Sequence, residues 1–487
     1  MKLKNIFSLA LISTCTQACE TLLPCLKAGL SSAATISFKD QSTFLNESIR
    51  YAALYPPSFS AVVKVASAED IAVAIKCAAR TNTSFLATSA RHGFSTTLTS
   101  IQNGLEIDTS YLNKIQVDAD ANELIVEGAV IFQDAVDDLY TAGKEISTGS
   151  CFCVGFVGAT LGGGVGRLSG VHGLMIDSLL SVRIMLPNTT IVEASTDQNP
   201  ELFWGLRGAG FNFGVILNAT YRIYDQTPQG LHLNADFKFP ISQAASYYGN
   251  LSEVAKAQPA PLAIITYFNF DPGLNETVIT ANAVYAGPES EGLAAVQFLV
   301  DQNPIQKNLT MVPWNQLLTA SAFGATGPPL CIKGDRRAQW GVGVERLDVE
   351  TYSQVAEKFV EMITKYPASK GSVVDMQLLP TQAVVAQPDD STAYPWRNLI
   401  SHINIQTLYT DNTTDDETTG YPRLMRDMLA KTAGTDDLQV YVSYSHGDES
   451  LESLFGAHKL PRLAALKKEI DPHGLFNAYH PLPTQYP

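Results

Sequence analysis

Cysteine is scarce in this chain, with seven in 487 residues. That is too few for a scaffold in which bridges replace a hydrophobic core. No C-x-x-C…C-x-x-C or H-E-x-x-H spacing occurs, so no metal site is expected. Basic charge is also short. Lys and Arg number 33 against 48 Asp and Glu, a net charge of −15. Such a surface repels phosphate backbones and argues against a nucleic-acid partner. Beyond the N-terminus no run of ~20 apolar residues exists, which excludes an ordinary helical membrane anchor. Internal repeats and low-complexity tracts are lacking too.

What is present is globular. Hydrophobic residues make up 45% and charged residues 17%, which excludes disorder, collagen and coiled coil. A single hydrophobic core stops growing near ~250–300 residues, so at least two lobes are expected.

The N-terminus carries Lys2 and Lys4, an apolar stretch from Ile6 to Ser13, and small Thr16 and Ala18 at cleavage spacing. This predicts a signal peptide over 1–18. Asn46, Asn82, Asn188, Asn218, Asn250, Asn275, Asn308 and Asn412 each open an N-x-[ST] triplet. Together these features predict a secreted or lumenal glycoprotein.

Residues 60–225 read as short strands alternating with helices. Ala61–Val63 and Leu124–Val126 are strands. Ser67 caps a helix carrying Ile71 and Ile75. The segment Gln133–Ala142 is helical, with Gly143 as its C-terminal cap. From about 228 to 435 the texture becomes period-two. Ile279, Ala281, Ala283 and Tyr285 form one apolar face, and Ile403 with Ile405 another. These predict an antiparallel sheet. Val355, Phe359 and Ile363 mark a helix within it. The acidic stretch Asp411–Gly420 reads as a solvated loop, and Val440 with Val442 as a strand. Leu463, Leu466 and Ile470 mark a last helix.

The densest signal is Cys151–Leu174, with Gly155, Gly158, Gly162, Gly163, Gly164, Gly166, Gly170 and Gly173. Glycines at this density let backbone approach a ligand and aim N–H groups at phosphate oxygens. Interleaved Val154, Val157 and Leu161 argue for a buried hairpin rather than a solvated loop. The spacing fits neither G-x-G-x-x-G nor a P-loop. A buried nucleotide or pyrophosphate site is expected.

With TSARHG, IDTSYLNKIQVD, GSCFCVGFVGATLGGGVG, HGLMIDSLLSVRIMLPN, ELFWGLRGAGFNFGVI and PRLAALKKEIDPHGLFN, the chain resembles berberine-bridge-enzyme-like flavoproteins of the vanillyl-alcohol-oxidase superfamily. The likeness runs from about Tyr55 to Tyr479. It implies an α+β fold of two lobes: an FAD-binding domain over 45–227, a substrate-binding domain over 228–435 roofed by a large antiparallel sheet, and a segment 436–487 returning to the first. It implies FAD bonded covalently through His92 of T-S-A-R-H, which stands where relatives carry R-S-G-G-H. A second bond is implied from Cys151. Val154 would leave O₂ room beside the flavin. Gly155, Gly158, Gly162, Gly163, Asp108, Gly128, Gly208, Val215 and Asn477 would contact the cofactor. A Cys25–Cys77 disulfide is implied, with Cys19, Cys153 and Cys331 unassigned. Relatives use a tyrosine from Y-x-N-Y, here Tyr441–Tyr444 with Ser443 replacing the amide. Tyr444 is the first candidate base and Tyr441 the second.

A free tyrosine near ~10 is too weak a base at neutral pH without help. Asp375, amid Val373, Val374 and Met376, is the candidate helper. His402 is read as lying on a solvated strand face. Val165 and His172 replace tyrosines common in relatives. The implied activity is an FAD-dependent oxidase acting on an alcohol, amine or polyketide-type metabolite, with O₂ as acceptor and a monomeric chain. A carbohydrate oxidase and a flavin-binding cyclase without net redox turnover are the alternatives.

Overall fold

The computed structural model describes residues 21–486. The expected signal peptide, Cys15 and Cys19 lie outside the described residues. Within them the chain is α+β, built on three main sheets.

The first sheet is a parallel unit with one antiparallel edge. Phe59–Lys64 buries Ala61, Val62 and Val63. Ser67 Oγ accepts the Asp70 N–H at 3.2 Å and opens the helix Ala68–Arg80. That helix buries Ile71, Ala74, Ile75 and Ala78, then delivers Phe85–Thr88 parallel to Gly104–Asp108. Cys25 and Cys77 are bridged, as the resemblance implied, and tie the helix Leu22–Gly29 onto this one.

The second sheet is antiparallel throughout. Its order is Ile115–Asp118, Glu123–Glu127, Val215–Arg222, Leu179–Met185, Ile191–Ser195. Phe132–Thr141 is the helix expected over 133–142, and Gly143 ends it with φ +72°. The tail helix Leu460–Ile470 adds Leu463 and Leu466 to the same core.

The third sheet has seven antiparallel strands, in the order Gln306–Pro313, Leu231–Pro240, Glu276–Tyr285, Leu262–Asp271, Val373–Leu378, Ser401–Tyr409, Arg336–Val344. Helices Ala244–Ala255, Val349–Lys365 and Tyr421–Lys431 share a core with its apolar face. The strand period of two sends the alternate residues to the opposite face. There Thr280, Tyr267, Asp375 and Asn404 stand side by side across four strands.

Four local expectations are corrected. The Val440–Val442 strand is absent. Val442–Tyr444 is a 3₁₀ turn, closed by the Tyr444 N–H on the Tyr441 carbonyl at 2.7 Å. Its Ser443 carbonyl is satisfied by the Gln339 side chain at 2.8 Å instead of by a neighbouring strand. The stretch Asp411–Gly420 is not wholly solvated. Asp416 is buried and accepts hydrogen bonds from Trp340, Thr407 and Tyr409. His402 is buried rather than solvated, edge-on to Tyr441. The glycine-rich segment is no hairpin. It breaks into short helices at Phe156–Leu161 and Ser169–His172, and a third, Met175–Ser178, follows it directly.

Candidate active site

A cavity of about 1120 Å³ lies between the glycine-rich segment and the polar face of the seven-stranded sheet. Of the residues singled out in the sequence, His92, Cys151, Val154, Gly155, Gly158, Gly128, Val215, Asp375, Tyr441 and Tyr444 line it. Gly162, Gly163, Asp108, Gly208 and Asn477 do not.

Those exceptions have structural reasons. A Cβ on Gly162 would strike Ser443 and Val442, and one on Gly163 would strike the Tyr394 ring. Both glycines therefore admit the tail and the Tyr394 segment. Gly208, at φ +138°, lets the chain pass the Ala393–Tyr394 backbone. Asn477 is exposed, while its neighbours Phe476, Ala478 and Tyr479 line the cavity. Gly158 behaves as a cradle residue should: a Cβ there would enter open space.

Asp108 acts one step away. Arg91 has φ +63°, a left-handed conformation taken by few L-residues. Its guanidinium donates to Glu106 at 2.6 Å and to Asp108 at 2.8 Å, both fully buried. This double ion pair offsets the backbone cost and fixes the turn that presents His92. The His92 ring stacks on Tyr51 with centroids 4.5 Å apart. Burial, with Lys333 nearby, pushes its pKa down to about 3. The imidazole is therefore neutral and nucleophilic at working pH.

Asp375 is 6% exposed. Its Oδ2 accepts from Gln377 Nε2 at 2.8 Å, while Oδ1 is buried without a partner among the described residues. Burial raises its pKa to about 7, against smaller opposing effects from Gln377 and Arg167. Tyr444 donates its hydroxyl to Gln377 Oε1 at 3.0 Å. Burial and the nearby Asp375 hold that phenol well above its ordinary range. Tyr441 spends its hydroxyl on the fold, accepting from the Gly164 N–H at 3.1 Å and donating to the Ala159 carbonyl at 3.4 Å. Val165 lines the cavity. His172 points elsewhere, stacked on Tyr224 and bonded to Glu145 at 3.0 Å.

Sequence reasoning missed two groups and left the pairing of a third, Cys153, unassigned. Gln377 was legible as an amide two residues beyond Asp375 on one strand face. Arg50 is buried in the cavity wall, with one guanidinium nitrogen on the Gly93 carbonyl at 3.2 Å and Nη1 unpartnered among the described residues. No local pattern signals it. Cys153 is bridged to Cys331, 178 residues away.

Residues 59–195 match the FAD binding domain family. An FAD-linked oxidoreductase of Pyricularia oryzae is 38% identical over 457 residues, spanning 93% of this chain and 89% of that protein. The chain is a member of the FAD-linked oxidoreductase family. Another such protein, from Aspergillus ruber, is 36% identical over 464 residues, covering 94% of this chain and 93% of its own. The fold of this oxidoreductase is also that of solved structures. Physcomitrella patens BBE-like 1 superposes with TM-score 0.85 at 20% identity, over 96% of this chain and 100% of that one. A xylooligosaccharide oxidase from Myceliophthora thermophila, in complex with xylobiose, gives 0.82 at 20% identity, over 95% and 99%. The cavity fits the cofactor that the family name specifies: it is large, Gly158 leaves it room, and the spare Arg50 N–H has no acceptor among the described residues.

Proposed function

We propose that this oxidoreductase is a secreted or lumenal oxidase whose substrate proton is taken by Asp375. The observation that carries the reading is the unpartnered Oδ1 in the cavity wall, on a carboxyl poised near neutrality. A general base works best when its pKa lies near the operating pH. Gln377 uses its amide nitrogen on Asp375 and its oxygen on Tyr444. It thereby fixes which carboxylate oxygen is free and keeps Tyr444 protonated as a hydrogen-bond donor. The order of candidates from the sequence is reversed: Asp375 is the base, Tyr444 orients, and Tyr441 anchors the glycine-rich segment.

FAD would be held by the 88–94 turn, by Gly155 and Gly158, and by Arg50 toward its anionic part, with His92 and Cys151 as the attachment points. A flavin bound there would supply a hydride acceptor, and the small Val154 would leave room beside it for O₂ as the electron acceptor. The substrate is an alcohol, amine or polyketide-type metabolite; an oxidised product able to close a ring would extend the same chemistry. The roof gives one observation in favour of a carbohydrate oxidase, since Gln406 and the Asn404 Oδ1, buried without a partner among the described residues, line the cavity and suit sugar hydroxyls.

Acid precipitation tests the cofactor claim. A yellow pellet in the parent, retained in either His92→Ala or Cys151→Ala and lost in the double variant, is expected. Asp375→Asn should cut the rate of substrate-dependent bleaching at ~450 nm by 10²–10⁴-fold, the range for loss of a general base. Bleaching at the parent rate would sink the role of Asp375.

A further inference from the structure

Three sulfurs meet at the edge of the cavity. Cys153 is bridged to Cys331. Cys151 is the free cysteine among the described residues, and of the three it alone lines the cavity. Its Sγ lies 3.7 Å from that of Cys153, and all three sulfurs fall within 4.8 Å of one another. A tight turn causes this approach. The Val154 N–H donates to the Cys151 carbonyl at 3.3 Å, folding the chain so that side chains two residues apart face the same point. Cys331 closes the 3₁₀ turn Pro328–Cys331 and follows a stretch whose Ala322, Phe323 and Leu330 line the cavity. With three sulfurs and one bridge, one thiol is always left over.

We propose that the Cys153–Cys331 bridge is the guard of the Cys151 thiol: by engaging Cys153 with a distant partner, it prevents a Cys151–Cys153 bridge and reserves Cys151 for the cavity. The use of that thiol for cofactor attachment rests on the function proposed above; the guarding itself does not. Two routes would consume Cys151. In the first, its thiolate attacks Cys153 Sγ and expels the Cys331 thiolate, an exchange with no net oxidation. Burial pushes the Cys151 thiol up to about 11, so it stays protonated near neutral pH and the observed pairing persists. In the second, Cys331 is missing and Cys153 is a thiol. A disulfide oxidant such as oxidised glutathione then takes two electrons from the two thiols. One S–S bond forms, and two molecules of reduced glutathione leave with the protons.

The test is non-reducing peptide mapping of the full chain with alkylation of free thiols, after incubation with oxidised glutathione. The parent, Cys331→Ser and the double variant Cys153→Ser/Cys331→Ser are compared. In the parent and the double variant, Cys151 should be recovered alkylated or cofactor-bearing. In Cys331→Ser these forms should fall by about tenfold or more, replaced by a peptide bridged between Cys151 and Cys153. Both variants lack the same bridge, so a folding defect affects them alike and cannot imitate the difference. Recovery of Cys151 in Cys331→Ser at the parent level, whether alkylated, cofactor-bearing or glutathionylated, overturns the proposal. A parent in which Cys151 is alkylated and never cofactor-bearing removes the attachment reading and leaves the guard standing.

Discussion

Asp375 shows how burial sets chemistry at a single residue. Its carboxyl is held near 7 against an ordinary 3.8. In the proposed role as base its ionised form is the active one, so kcat/KM should rise with pH through about 7 and level off above it. A profile flat from pH 5 to 9 would remove the carboxylate from the rate-determining proton transfer. Stability runs the other way. An acid with a raised folded pKa binds its proton more tightly when folded, so stability falls as pH rises from about 4 to 7, and the penalty is complete above 7. Asp375→Asn should therefore raise Tm at pH 8 and leave it nearly unchanged at pH 4. Arg91 gives the opposite case. Removing it leaves Glu106 buried beside Asp108 with no other ion pair to either carboxylate among the described residues, and breaking such a pair costs about 3–5 kcal/mol. Denaturant unfolding of Arg91→Ala should show a loss of that size, together with weaker retention of flavin by the displaced His92 turn.

At the scale of elements, the first βαβ unit carries the turn that presents His92, and its helix is held from outside. The Cys25–Cys77 bridge closes a separation of 52 residues. A loop of that length corresponds to roughly 4 kcal/mol in the chain-entropy picture, and measured values run about 2–4. Cys25→Ser/Cys77→Ser should lose stability in that range by denaturant titration, with the cavity chemistry intact, because neither residue lines the cavity. An equal loss of turnover would mean that the helix Ala68–Arg80 also sets the geometry of the turn. The seven-stranded sheet divides its labour by face. One face makes a core with three helices, and the other brings Thr280, Tyr267, Asp375 and Asn404 into one row.

For the whole molecule, the two bridges fit an oxidising compartment, and no described helix is long and apolar enough to cross a membrane. Seven of the eight sequon asparagines are exposed. Asn218 is half-buried on a strand paired on both sides, with Glu127 and Arg183. If the chain is exported as proposed, glycopeptide mapping should find glycans among the other seven and none on Asn218; an occupied Asn218 would require the central strand to form after modification.

The sequence by itself determined the elements and much of the cavity wall. Period-two runs such as Ile279–Tyr285, the Ser67 cap and the glycine density of 155–173 are local signals, and each is written in neighbouring residues. It also pointed to His92, Cys151 and Asp375, because the motifs around them are short. Only the tertiary structure decided how these groups share work. The hydrogen bonds that leave one Asp375 oxygen unpartnered among the described residues run through Gln377 to Tyr444, across 67 residues. The partner that leaves Cys151 unpaired sits 178 residues from Cys153. Asp416 and His402 looked solvated because polarity is a local property, whereas burial is decided by what the rest of the chain brings to cover them.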